Sequence, residues 1–369
     1  MRKNCNNTGL NRIESLDYLR GIMALSVMIY HLTYWNLYHP DTSTLLGRLG
    51  VYAVSIFFIL SGLSIAIAYS NFINDLKSSI AFYIRRIFRI WPLLWLCIIA
   101  VVLPHILKGR EIPSLKILLL NFTTLFGFIA PTEYINTGAW SIGNEMVYYF
   151  LTPFFIYFYR KSLILGNMLV LLSFFITVYF VFFYLDPSKS LASQWEGYIN
   201  PINNLFLYML GIAIFFNLKD KKFNPSIVVL FFLLSLLLFI KYPVHGDQIN
   251  IVTGYNRLAF ILASIFLVIA FLKFEYFNFI PKFIRASFYQ LGIATYGVYL
   301  LHPVIHDYAA HFLKDSRINQ PLLFIILVSI LTIIVSLISW NFFEKKLIIY
   351  GKNISKRLLT NGGFNFKWN

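Results

Sequence analysis

"SLDYLRGIMALSVMIYHL", residues 15–32, reads as a membrane helix at all but three positions. With the residues that follow to 35, the run is long enough for a hydrocarbon core of about 30 Å. Yet it carries Asp17, Arg20 and His31. At about 100° per residue, the steps from Arg20 to His31 make three turns and about 20° more, so the two share a face about 16 Å apart along the axis. For Arg20 the plain reading is a side chain that snorkels to the headgroups. For His31 it is a hydrogen bond to a neighbouring helix. An ionisable group inside a span is costly, however, and by default faces a pathway or a site.

The rest of the chain supplies the setting. Of 369 residues, 59% are hydrophobic and 12% charged, and the mean hydropathy is +0.70. Soluble domains carry about 25% charged residues, so the composition describes an all-α polytopic membrane protein. The net charge of +16 comes without a nucleic-acid-binding motif, so a nucleic-acid partner is excluded and basic cytoplasmic loops are expected instead. Cys5 and Cys97 are too few and too far apart in setting for a disulfide framework. The first apolar run lacks a small-residue cleavage site and is expected to remain as the first span.

Apolar runs fall at 16–35, 50–69, 87–106, 141–159, 163–184, 201–217, 226–241, 256–272, 288–308 and 321–343. Segment 115–130 is apolar but short for a span. Counting it as one would invert everything after it and move Arg160, Lys161 and the basic C-terminus outside. The positive-inside bias therefore predicts about ten transmembrane helices, N- and C-termini cytoplasmic, and 115–130 as a re-entrant or outer-surface element. The corresponding division is a cytoplasmic tail over 1–15, a membrane domain over 16–345 and a basic cytoplasmic tail over 346–369.

Four further stretches hold residues out of place in lipid. In "FYIRRIFRIWP", residues 82–92, Arg86 and Arg89 are i,i+3 and form a fork that suits phosphate, against the plain reading of a positive-inside anchor. In "GAWSIGNEMVYYF", residues 138–150, Glu145 lies about a turn inside a span, either in a polar cavity or near a helix start that Ser141 would cap. In "ATYGVYLLHP", residues 294–303, His302 lies at nearly the depth of His31. His302 and His306 are i,i+4, but Pro303 intervenes and no carboxylate completes a ligand set, so no metal is expected. In "SIFFILSGLSIA", residues 55–66, Ser55, Ser61, Gly62 and Ser64 read first as close-packing positions.

Taken in order, "LDYLRGIMALSVMIYH", "SIFFILSG", "RRIFRIWP", "AWSIGNEMVYYF" and "YGVYLLHP" resemble the membrane acyltransferase 3 family, over nearly all of residues 15–345. The resemblance implies transfer of an acyl group, commonly acetyl, from acetyl-CoA to an extracytoplasmic carbohydrate. The family's Arg–ten residues–His pattern falls on Arg20 and His31, and its arginine pair, at the acetyl-CoA entrance, on Arg86 and Arg89. Its tryptophan–serine–acid signature falls on Trp140, Ser141 and Glu145, and its late histidine on His302, with Ser61 in support. "SIGNE" departs from the more usual Ser-Leu-x-x-Glu form but keeps the acid.

The chain is similar to the stand-alone type that modifies lipopolysaccharide O-antigen and other surface glycans, which implies a bacterial inner membrane and membrane lipids as surroundings. His31 would act as nucleophile or general base, Glu145 would orient it or activate the acceptor, and Arg20 would hold phosphate or stabilise the mouth. A glycan flippase or polysaccharide polymerase is the competing class. Against it stand the lack of an evident internal repeat and of a large outer loop.

Overall fold

Long apolar stretches must satisfy their backbone groups internally in hydrocarbon, and a helix does this within one segment. The computed structural model obeys that rule over the residues it describes, 13–274, 280–313 and 320–360, among which there is no strand. Cys5, most of the expected N-terminal tail and residues 361–369 of the basic tail lie outside the described residues.

The first three long helices are α1 (Glu14–Asn36), α2 (Leu45–Tyr69) and α3 (Leu76–Leu107). Segment 115–130 forms two short helices, α4 (Leu115–Phe122) and α5 (Phe126–Ile129), and no continuous span. Thr124 turns between them at φ 59°. Asn121 pins the pair, donating to the Glu133 carbonyl at 2.6 Å and accepting from the Ile135 amide at 2.9 Å.

Then come α6 (Ala139–Lys161), α7 (Leu163–Tyr179, ending in a π-turn over Phe180–Tyr184), the short α8 (Trp195–Ile199), α9 (Pro201–Leu218), α10 (Pro225–Lys241), the short α11 (Ile249–Val252) and α12 (Gly254–Lys273). The chain closes with α13 (Lys282–Ile293), α14 (Thr295–Phe312), α15 (Pro321–Ser339) and α16 (Lys345–Thr360). A π-turn over Trp340–Glu344 joins the last two into one continuous rod.

Each of the ten expected runs is helical, with three differences. The third helix begins at Leu76, behind a capping box in which Asp75 accepts from the Ser78 amide at 2.7 Å and Ser78 Oγ accepts from the Asp75 amide at 3.0 Å. The run 288–308 is broken at Ala294, where Gly292 lies against the backbone of Asp17 and the Thr295 hydroxyl bonds back to the Leu291 and Gly292 carbonyls. The last helix does not stop at 343 but carries on to Thr360.

Six helices among the described residues are long and apolar enough to cross a membrane: α2, α3, α7 with its π-turn, α9, α12 and the α15–α16 rod. α10 is apolar but has 17 residues. Outside the six stand α1, α6 and α14, the helices that carry Arg20 and His31, Glu145, and His302. This is a multi-pass integral membrane protein.

Helix α2 lies at the centre, against α1, α9 and α12. Its approach to α9 is set by Gly62 and Gly211. A Cβ on Gly62 would stand 2.0 Å from the Tyr208 carbonyl oxygen, and one on Gly211 2.0 Å from that of Ile59. Only hydrogen at both positions lets the backbones come so close.

Candidate active site

The N-terminal half of α1, the second half of α2, α3, α6, α14 and α16 enclose a cavity of about 460 Å³, within the range of small-molecule sites. Arg20, Ser61, Arg86, Arg89, Glu145 and Lys352 are among the residues on its wall.

Each arginine is held differently. Arg20 donates to Asp17 one turn earlier, at 2.7 Å, and to the Ser64 hydroxyl of α2. Arg86 donates to the Tyr69 hydroxyl at 2.8 Å, with the rings of Tyr69 and Tyr149 at 5.1 and 5.7 Å. Arg89 lies between the rings of Tyr296 and Trp340, at 5.6 and 5.2 Å, and pairs with the buried Glu344 at 3.6 Å. The π-turn after α15 delivers both Trp340 and Glu344 to it. Arg86 Nε and Arg89 Nη1 are buried and lack a hydrogen-bond partner among the described residues. Arg85, the third of the cluster, faces away onto the Phe72 ring and the Ser355 hydroxyl.

Glu145 projects into the same cavity from α6. Its Oε1 accepts from the Ser61 hydroxyl at 2.5 Å and from the Tyr149 hydroxyl one turn along. These hydroxyls, not His31, are its partners. Ser141 does not cap α6, whose first residue is Ala139 behind Gly138 at φ 83°. Its hydroxyl bonds the Tyr299 hydroxyl at 2.8 Å and the Gly138 carbonyl at 3.1 Å. Trp140 is buried edge-on against Phe58 and Trp195, off the cavity wall, where it supports the packing around α6.

The two histidines expected at one depth do meet. His31 Nδ1 is 2.9 Å from His302 Nε2, and His302 Nδ1 is 3.0 Å from the Val298 carbonyl oxygen. The rings are within 13° of coplanar and touch edge to edge. His302 has no exposed surface, whereas His31 is half-buried beside the Trp35 ring. His306 is bonded separately, to Asn36 and Asp307.

Arg20 and His31 do not line one continuous surface. Between them α1 is covered at Ala24, Val27 and Met28, all buried. The cavity that Arg20 lines reaches Phe57, Ser141 and Tyr299, and the Tyr299 ring stands edge-on to His302 at 6.2 Å. A layer one aromatic ring thick thus separates cavity from histidine pair.

A family model described as an acyltransferase domain matches residues 13–341. The chain belongs to the acyltransferase 3 family. It is also 31% identical over 167 residues to a Bacillus subtilis (strain 168) protein named "Putative peptidoglycan O-acetyltransferase YrhL". That alignment covers 39% of this chain and 24% of the relative, so the match spans about a quarter of the relative's length. No solved structure matches.

The stretches that resemble the acyltransferase 3 family carry Arg20, His31, Arg86, Arg89, Ser141, Glu145 and His302, but do not show what holds them. Tyr69, Tyr149, Tyr299, Trp340, Glu344 and Lys352 escaped the sequence reading. Glu344 alone left a signal, an acid at the end of the apolar run "SWNFFEKK", residues 339–346.

Proposed function

We propose that this protein moves an acetyl group from cytoplasmic acetyl-CoA to a hydroxyl of an extracytoplasmic glycan, with His31 as the group that activates the acceptor or carries the acyl group. The observation that bears most weight is the arrangement of the site. A cavity walled by guanidinium groups, one of them with a buried N–H that lacks a hydrogen-bond partner among the described residues, ends at Tyr299, whose ring stands against His302 of the histidine pair.

Phosphate and pyrophosphate are the natural ligands of guanidinium forks. The donor's charged end would meet Arg89, Arg20 and Lys352, with the pantetheine arm along the cavity toward Phe57 and Tyr299. In this reading the bundle has ten spans, and the arginine end faces the cytoplasm of a bacterial inner membrane, as the basic loops require.

The chemistry balances with the groups present. The acceptor hydroxyl gives its proton to His31 Nε2 while its oxygen bonds the thioester carbonyl carbon. The C–S bond breaks, and the proton passes to the departing thiolate to give free coenzyme A. In the two-step variant His31 Nε2 bonds the thioester carbonyl carbon as the C–S bond breaks and the thiolate leaves; the hydroxyl oxygen then takes the acetyl group from Nε2, and its proton passes to the thiolate. Glu145, in a network with Ser61 and Tyr149, sets a carboxylate on the wall of the same cavity. The relative's name supports peptidoglycan as one acceptor, and the resemblance to the acyltransferase 3 family supports lipopolysaccharide O-antigen as another.

The test is vectorial transfer. Protein is reconstituted in liposomes with labelled acetyl-CoA inside and peptidoglycan fragments or O-antigen outside. Label on glycan from wild type, lost in His31→Ala and in Arg86→Ala/Arg89→Ala, is the expected result. Wild type that neither binds acetyl-CoA nor transfers label sinks the proposal and favours a transporter or polymerase.

A further inference from the structure

We infer that His302 is a positioning residue: it fixes the tautomer of His31, placing the proton on Nδ1 and leaving the Nε2 lone pair open to substrate. The inference deepens the acyl-transfer reading and rests on it for the use of His31.

One carbonyl decides the tautomer. The oxygen of Val298 can only accept, so the His302 nitrogen 3.0 Å from it, Nδ1, must carry hydrogen. A neutral imidazole has one N–H, so His302 Nε2 then holds a lone pair. His302 is fully buried, and no carboxylate contacts either ring of the pair among the described residues, which favours the neutral form of both. The contact of 2.9 Å between His302 Nε2 and His31 Nδ1 therefore needs its hydrogen from His31. With Nδ1 protonated, His31 Nε2 is the bare nitrogen. The near-coplanar rings direct that N–H along the lone pair of its partner.

The division of labour follows from exposure. His302 is sealed and cannot reach a substrate, whereas His31 has an open side. Both candidate routes use the lone pair at Nε2, as base toward a hydroxyl or as nucleophile toward the thioester carbon. Without an acceptor at Nδ1 nothing holds the proton there, and a ring in the other tautomer presents an N–H where a lone pair is needed. The Val298 carbonyl, one helical turn before His302, is thus the fixed point from which the orientation of His31 is set.

The experiment uses the full chain, labelled with nitrogen-15 in histidine and reconstituted in lipid, with His31→Ala to assign the His31 signals by solid-state NMR. Expected are a protonated Nδ1, a bare Nε2, and a hydrogen bond from Nδ1 to a ring nitrogen that vanishes in His302→Leu. A proton on His31 Nε2 in the wild-type protein overturns the inference. In parallel, His302→Leu should lower kcat for acetyl transfer by about 10²-fold or more with the acetyl-CoA KM unchanged. His302→Gln keeps an oxygen acceptor in the place of Nε2 and should recover about tenfold of that loss.

Acetyl-CoA binding by both variants reports that they fold, and the NMR result on wild type stands even if one does not. A wild-type kcat in His302→Leu, or equal losses in the two variants, sinks the positioning role and leaves the acyl-transfer reading intact. A wild-type kcat in His31→Ala sinks the assignment of His31 instead.

Discussion

At Glu145 a single oxygen takes two hydroxyl donors, Ser61 at 2.5 Å and Tyr149, so the network needs an acceptor there and not in itself a charge. Glutamine provides the acceptor without the charge. Glu145→Gln should therefore leave thermal unfolding unchanged and lower acetyl transfer by about 10²-fold or more, the scale of a lost acid–base group. Transfer at the wild-type rate in a stably folded Glu145→Gln would show that the residue only holds α2 to α6. Glu145, His31 and His302 could be picked out in the sequence because each is a polar group in an apolar run. What each touches was not. Arg86 and Arg89 share a helix face by spacing, yet one rests on tyrosines from α2 and α6 and the other on the π-turn some 250 positions away. Local periodicity carries no record of such partners.

Two contacts between elements can be tested in the same terms. The first joins α3 to the α15–α16 rod through Arg89 and Glu344, whose side chains are 27% and 2% exposed. Removing the cation leaves a buried carboxylate, so Arg89→Ala should destabilise the protein by about 3 kcal/mol. Arg89→Ala with Glu344→Gln should recover most of that stability while acetyl-CoA affinity stays low. If the double variant regains affinity as well, Arg89 is structural and the donor's phosphates bind elsewhere. The second contact joins α2 to α9. A methyl at position 62 would fall on the Tyr208 carbonyl, backbone that cannot swing aside, so Gly62→Ala should lower stability by about 1–3 kcal/mol in detergent unfolding. An unchanged midpoint would mean that the two helices have room to part. The bounds of α9 could be read from hydropathy, but the start of α3 at Leu76 could not. The break at Ala294 could not, because it depends on Gly292 meeting α1, and neither could the course of α16, an amphipathic rod whose Gly351 packs on Phe88 of α3.

For the whole molecule, everything proposed about direction depends on which end of the bundle faces the cytoplasm. Ser162 separates α6 from α7 by one residue, so the two helices run antiparallel. If both span, Ser162 and Ser188 lie on opposite sides, and Lys222, two spans beyond Ser162, lies on its side. With Cys5 and Cys97 replaced by serine, single cysteines at these positions can be reached with a membrane-impermeant maleimide. Ser188→Cys should react in intact cells, and Ser162→Cys and Lys222→Cys only after permeabilisation. Reaction of all three from one side would remove α7 and α9 as a crossing pair, despite their apolar character. A fully reversed pattern would be more damaging. It would turn the arginine-lined cavity to the outside, where there is no pool of acetyl-CoA, and a donor site read from guanidinium groups would then have no donor. The same cavity would instead face a phosphate-bearing acceptor, such as a lipid-linked glycan, and the polymerase or flippase reading would become the better account of the same residues.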